Sequence, residues 1–152
     1  MTMITAAPVR KSIRVNAPPA RAFDVFAARF GSWWPRDHHI GKAAMSEAVI
    51  EPRAGGRWYE KDEDGSECDW GRVLAWEPPA RLLLSWRINS KFVLDETVES
   101  EVEVRFVPDG AGTRVELEHR IRAADAEKLR EAVDSPRGWG SLLEIYAARV
   151  SA

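Results

Sequence analysis

Two stretches in the C-terminal half constrain this chain more than anything else in it. In the first, Val98, Ser100, Val102, Val104 and Phe106 alternate with Glu99, Glu101, Glu103 and Arg105. In the second, Thr113, Val115, Leu117, His119 and Ile121 alternate with Arg114, Glu116, Glu118 and Arg120. Between them, Asp109-Gly110-Ala111-Gly112 has the residues of a turn. Side chains on a strand point to opposite faces in turn, so each stretch has one charged face and one largely apolar face. Such a hairpin is wet on one side and must be covered on the other.

The cover follows. Trp139, Leu142, Leu143, Tyr146 and Val150 recur at helical spacing and form one apolar stripe. Ser135-Pro136 is the expected N-terminus of that helix, a capping residue before a proline. Gly138 and Gly140 flank Trp139, and close approach of helix and sheet would account for them. A shorter helix is expected at 125–133.

Upstream, Val9–Val15 reads as a strand with Ile13 and Val15 on one face and Lys11 interrupting it near an edge. Pro18-Pro19 suits a helix start, and Phe23, Phe26 and Phe30 give residues 20–30 a helical period. Trp33-Trp34-Pro35 ends a short second helix, and 36–46 reads as loop. Further strands are expected at 48–51, from 57 to 60, over 66–76 and over 82–87. Asp62-Glu63-Asp64-Gly65 reads as a hairpin turn, and 89–96 as a connection. Cys68, Trp70, Arg72, Leu74 and Trp76 share a face unless Gly71 marks a bulge. Strands run together and helices stand apart, the α+β pattern, in a single domain over 1–152 with a flexible start at about 1–7.

Composition narrows the function. The net charge is −2 with both signs interspersed, which disfavours nucleic acid as a partner. One cysteine, Cys68, cannot build a disulfide framework, so a reducing, cytoplasmic setting is expected. The first ten residues are broken by Thr2, Thr5 and Pro8 and match neither a secretory signal nor an anchor. No run approaches the ~18 apolar residues of a membrane span, so no membrane insertion is expected.

Seven tryptophans are the unusual total. Trp58, Trp70, Trp86, Phe106 and Trp139 could line one cavity, with Trp33, Trp34 and Tyr59 near its mouth, or could fill a core. His119 falls on the covered face, where it could orient a polar ligand group, move a proton, or be a core histidine with one hydrogen bond. The candidate ligand-binding set is therefore Trp34, Trp58, Tyr59, Trp70, Trp86, Ser100, Phe106, His119, Trp139 and Leu143. The pocket is expected between the two long strands and the helical stripe. No catalytic residue can be named. No metal is expected, because His38-His39 with Cys68, Asp69 or His119 match no ligand spacing. No cofactor is expected, since nucleotide and phosphate fingerprints are missing.

Several pieces in the same order resemble a known superfamily. They are Val15–Phe23, Trp33-Trp34-Pro35, Glu51–Tyr59, Trp70–Pro79, Leu84-Ser85-Trp86, Val102–Phe106, Gly112–Val115, Glu118-His119 and Gly138-Trp139. They resemble the START-like (SRPBCC) helix-grip superfamily, in the branch named for the activator of the heat-shock protein 90 ATPase. The resemblance implies a curved antiparallel sheet of about six to seven strands around a long C-terminal helix, with two short helices after the first strand. It implies a cavity between sheet and helix and a small hydrophobic or amphipathic ligand. A cyclase or aromatase using His119 and Tyr59 is the second reading. A chaperone- or protein-interaction module is the third, although the chaperone role in that family goes with an additional N-terminal domain that this sequence does not contain. A homodimer is left open.

Overall fold

A computed structural model describes residues 2–151. In chain order its elements are β1 (Ile4–Thr5), β2 (Val9–Val15), α1 (Pro19–Phe23), β3 (Met45–Ile50), β4 (Arg57–Asp62), β5 (Glu67–Glu77), β6 (Arg81–Trp86), β7 (Glu99–Asp109), β8 (Gly112–Ala123), α2 (Ala126–Val133) and α3 (Trp139–Ser151). The strands form one curved antiparallel sheet, running as a meander from β3 to β8, with β1 and β2 on the free edge of β8. Helix α3 covers its inner face.

The alternating hairpin is the backbone of the sheet. β7 and β8 pair continuously from Glu99↔Arg122 to Asp109↔Gly112. Val102, Val104, Phe106, Val115, Leu117, His119 and Ile121 are all buried on the inner side. Outside, charges pair across and along strands: Arg120 reaches Glu101 and Glu103 on β7 at 3.2 and 2.9 Å and Glu118 on its own strand at 2.7 Å, and Arg81 reaches Glu103 at 2.5 Å. Pairs this exposed add up to about 1 kcal/mol each, so burial of the inner face carries the fold.

The stripe Trp139, Leu142, Leu143, Tyr146 and Val150 is buried as its spacing predicts. The helix, however, starts at Trp139 and not at Ser135-Pro136. A Cβ on Gly138 would stand 2.1 Å from the Val133 carbonyl oxygen, so the chain turns tightly against the end of α2 before the helix begins. Gly138 N donates to Ser135 O, and Gly138 O accepts the first helical bond from Leu142 N. Gly140 faces open space, so close approach does not explain it.

Three other segments depart from expectation. The helix expected over 20–30 is α only to Phe23; it widens into a π turn over Asp24–Ala28, with Arg29 N on Asp24 O, and closes in a 3-10 turn at Phe30–Ser32. β5 carries the bulge that Gly71 suggested: Gly71 opposes Trp58 while Asp69 opposes Tyr59. A Cβ at Gly71 would lie 1.9 Å from the Ser85 carbonyl oxygen. The bulge flips the faces, so Trp70 and Val73 are buried while Arg72 and Leu74 turn outward. Asp62, expected in a turn, is the last residue of β4 and is buried.

The start of the chain, expected as a flexible segment, contains the short strand β1. Ile4 and Thr5 pair with Ala123 and Arg122, and Ala6 N donates to Ile121 O. Met1 lies outside the described residues. Among the described residues, no helix is long and apolar enough to cross a membrane.

Candidate functional site

Where the long strands face the middle of α3, the interior is full. Phe26 packs on Tyr146, Trp33 and Phe106 with ring centroids 5.1, 5.1 and 5.8 Å apart, and Phe23 stands 5.2 Å from Phe106. Tyr146 Oη donates to Ala22 O and locks α3 to α1. The pocket expected between β7, β8 and the stripe is thus displaced, because the phenylalanines of residues 23–30 occupy that volume.

A cleft of about 380 Å³ opens instead at the N-terminal end of α3. Trp34, Trp70, Trp86 and Trp139 form its walls. Ile40, Ile88, Phe92 and Leu142 add apolar surface, and Asp37, His38, His39 and Arg137 form a polar rim. Its volume falls in the roughly 300–1,000 Å³ range of small-molecule sites. Each wall tryptophan spends its indole N–H inside the protein. Trp34 Nε1 donates to His38 O, Trp70 Nε1 to Glu60 Oε1, Trp86 Nε1 to Ile88 O and Trp139 Nε1 to His119 Nδ1. The walls therefore offer ring faces and few donors, and polar chemistry is confined to the rim.

The rim is ordered by charge. His38 Nδ1 lies 2.8 Å from Asp37 Oδ1, and His38 Nε2 donates to Arg137 O at 2.9 Å. Arg137 also bonds the other Asp37 oxygen. These contacts with His38 and Arg137 hold the Asp37 carboxyl below its ordinary range, the His38 hydrogen bond being the largest.

His119 does not line the cleft. It is fully buried behind Trp86 and Trp139, with the Trp86 ring centroid 4.9 Å away. Since Nδ1 accepts from Trp139, the proton sits on Nε2, facing Ser100 Oγ at 3.4 Å, and Ser100 Oγ donates to Trp86 O at 2.8 Å. Burial, aided by the Arg120 charge, pushes the imidazole down to about 3. It is neutral at ordinary pH with both nitrogens engaged.

Four of the ten predicted site residues therefore meet at the cleft: Trp34, Trp70, Trp86 and Trp139. Ser100 and His119 sit one layer behind. Trp58 is buried among Phe30, Trp70 and Trp86, and Phe106 and Leu143 belong to the filled interior. Tyr59 is on the opposite face of β4 from Trp58, under the Arg57 guanidinium at 3.9 Å. The structure does not bring His119 and Tyr59 together.

Asp37, Arg137, Ile40, Ile88 and Phe92 were missed because they come from loops without a period. One signal was available: 36–46 is polar yet interspersed with histidines and Ile40. Folding also places His39 beside Glu60 and Asp62, a grouping no sequence spacing displays. Glu60 accepts from Ile40 N at 2.7 Å, Gly41 N at 3.3 Å and Trp70 Nε1 at 2.9 Å, tying the rim loop and one wall to β4. Burial opposes ionisation of Glu60, but hydrogen bonds from Asp62, Ile40, Trp70 and Gly41 hold its carboxyl below the usual range. Burial and the adjacent Glu60 raise Asp62 to about 6.

Residues 16–150 match the family model described as activator of Hsp90 ATPase homolog 1-like protein. The chain belongs to this family. Among solved structures, an anthrahydroquino-gamma-pyrone synthase is 39% identical to this family member, with 95% of this chain and 97% of that chain covered and a TM-score of 0.62. A self-sacrificing resistance protein from Micromonospora echinospora is 32% identical over 95% of this chain and 94% of that one, TM-score 0.69. A Mesorhizobium loti protein is 19% identical, with 95% and 97% coverage and a TM-score of 0.69, a likeness of fold. These relatives carry the same helix-grip fold. Comparison with curated proteins yields no match.

Proposed function

We propose that this chain binds a small hydrophobic or amphipathic molecule in the tryptophan-walled cleft, its flat apolar body against Trp34, Trp70, Trp86 and Trp139. The observation that carries this reading is that all four indole N–H groups are already hydrogen-bonded within the protein. It leaves apolar ring faces toward the cleft and a polar rim at Asp37, His38 and Arg137 for one polar end of the ligand. The family and its small-molecule-handling relatives support it. The single domain and a cytoplasmic setting go with this reading, the latter supported by the free thiol of Cys68. A chaperone or other protein partner has less support, since cross-strand ion pairs fill the outer face of β7 and β8.

The test uses 1-anilinonaphthalene-8-sulfonate as the probe. Its fluorescence should rise saturably with one site per chain. Ile40→Arg, on the cleft wall, should weaken binding at least about tenfold, the effect of roughly 1.4 kcal/mol. Leu74→Arg, on the outer face, should change nothing. Equal binding by wild type and Ile40→Arg would refute the assignment.

A second reading is a cyclase-type enzyme, favoured by the synthase relative at 39% identity. Its acid–base group would be His38, oriented by Asp37 at the rim, in place of His119 and Tyr59. Turnover of an anthraquinone-type precursor by the wild type, lost in His38→Gln while probe binding persists, is the outcome this reading requires.

A further inference from the structure

Behind the rim loop lies a group that ligand binding in the cleft does not use. One ligand atom each from His39, Glu60 and Asp62 lies within 4.8 Å of the other two. Glu60 and Asp62 are 0% and 4% exposed, two residues apart on the inward face of β4. Among the described residues, neither is paired with a lysine or arginine; the neighbouring basic side chain is His39, with Nδ1 at 3.9 Å from Glu60 Oε2. Asp62 Oδ2 accepts from Ser66 Oγ at 3.3 Å, whereas the other oxygen, Oδ1, is buried with no hydrogen-bond partner. Buried carboxylates without a counter-charge are costly, and folded proteins pair them or place a metal ion between them.

The loop above is shaped to these two side chains. A Cβ on Gly41 would stand 1.9 Å from Asp62 Oδ2 and 3.0 Å from Glu60 Oε2. A side chain at this position would have to displace the carboxylates, so glycine lets the backbone close over both.

We propose that His39, Glu60 and Asp62 form a binding site for a divalent transition ion of the Zn²⁺ type. One imidazole nitrogen with two carboxylate oxygens suits a borderline ion, whereas Ca²⁺ wants six or more oxygens and Mg²⁺ an octahedron of them. Bonds of about 2.0–2.2 Å put tetrahedral ligand atoms roughly 3.4 Å apart, so donors now within 4.8 Å of one another must draw in by up to about 1.4 Å. His39 has the freedom to do so: its side chain is 25% exposed, and Nδ1 would give up its 3.0 Å contact with Gly41 O. The ion sits where Glu60 already holds Ile40, Gly41 and Trp70, so it would stiffen the loop that walls the cleft. This site stands apart from the ligand reading, and its test needs no organic ligand.

The metal-free chain, prepared with a chelator and desalted, is titrated with ZnCl₂ in a calorimeter and with CoCl₂ by visible absorption. The expected result is one ion per chain, a visible Co²⁺ spectrum of low symmetry, and a Tm that rises with Zn²⁺. His39→Ala and Asp62→Asn should each lose more affinity than the roughly 10–100-fold that removing an outer partner of a metal ligand costs. Circular dichroism checks that each variant is folded; should Asp62→Asn fail, His39→Ala, at a partly exposed position, decides alone. Absence of saturable binding by the wild type, or wild-type affinity in a folded variant, overturns the proposal.

Discussion

The two ends of the space between the sheet and α3 are built from the same kinds of residue and come out differently. At one end Phe23, Phe26, Trp33, Phe106 and Tyr146 interlock, and no cleft is left. At the other, Trp34 stands 5.5 Å from Trp70 and 6.0 Å from Trp139, and the rings enclose open volume. The difference lies in the cover. α1 and its widened turn drop phenylalanines into the first end. The second is roofed by the 36–44 and 89–96 loops and the turn between α2 and α3, which supply a polar rim and few bulky side chains. Aromatic content alone therefore does not distinguish a pocket from a core; what lies across the open side does.

The largest expected effect breaks the filled end. Phe26→Ala should destabilise the protein by about 3–5 kcal/mol in urea unfolding, as large-to-small changes in packed aromatic cores do. Binding of 1-anilinonaphthalene-8-sulfonate to the remaining folded protein should be unchanged. A loss of binding in step with stability would show that the two ends are not separate.

A smaller effect comes from His119, at the boundary between the ends. Its folded-state value, about 3, lies below the ordinary 6.5, so the unfolded chain binds this proton more readily. Stability is therefore complete above about pH 6.5 and declines as pH falls toward about 3, by at most about 1.4 kcal/mol per pH unit from this group. In His119→Gln that part of the slope should vanish. Urea midpoints across the pH range measure it, and an unchanged slope would mean that His119 takes up protons in the folded state.

The smallest effect sharpens the open end. Phe92 lines the cleft with φ 59°, a left-handed conformation that side chains other than glycine rarely adopt. Phe92→Gly should relieve that strain and change stability by less than about 1 kcal/mol, while weakening probe binding. Unchanged probe binding would remove the 89–96 loop from the cleft wall.

The legible parts of the fold were those with a period. The β7–β8 hairpin and the Trp139–Val150 stripe depend on alternation and helical spacing, which sequence displays directly. The placement of His119 on the covered face followed from the same alternation. Its saturation did not, because that needs Trp139 and Ser100 brought from distant segments. Tyr59 illustrates a readable constraint: neighbours on a strand face opposite ways, so Trp58 and Tyr59 cannot both enter one cavity. The cleft was not legible because its cover is loop, and loops carry no period. Asp62 was hidden in a turn signature, so its meeting with Glu60 and His39 appears only when the chain is folded.

The central claim is that ligand occupies the tryptophan cleft and leaves the filled end untouched, and the indole N–H signals of this tryptophan-rich chain read it directly. In a ¹⁵N–¹H titration with 1-anilinonaphthalene-8-sulfonate, Trp34, Trp70, Trp86 and Trp139 should shift together and saturate, while Trp33 and Trp76, which pack against Phe26 and Phe23, should stay in place. Saturating shifts at Trp33 and Trp76 with the four cleft signals unmoved would contradict it.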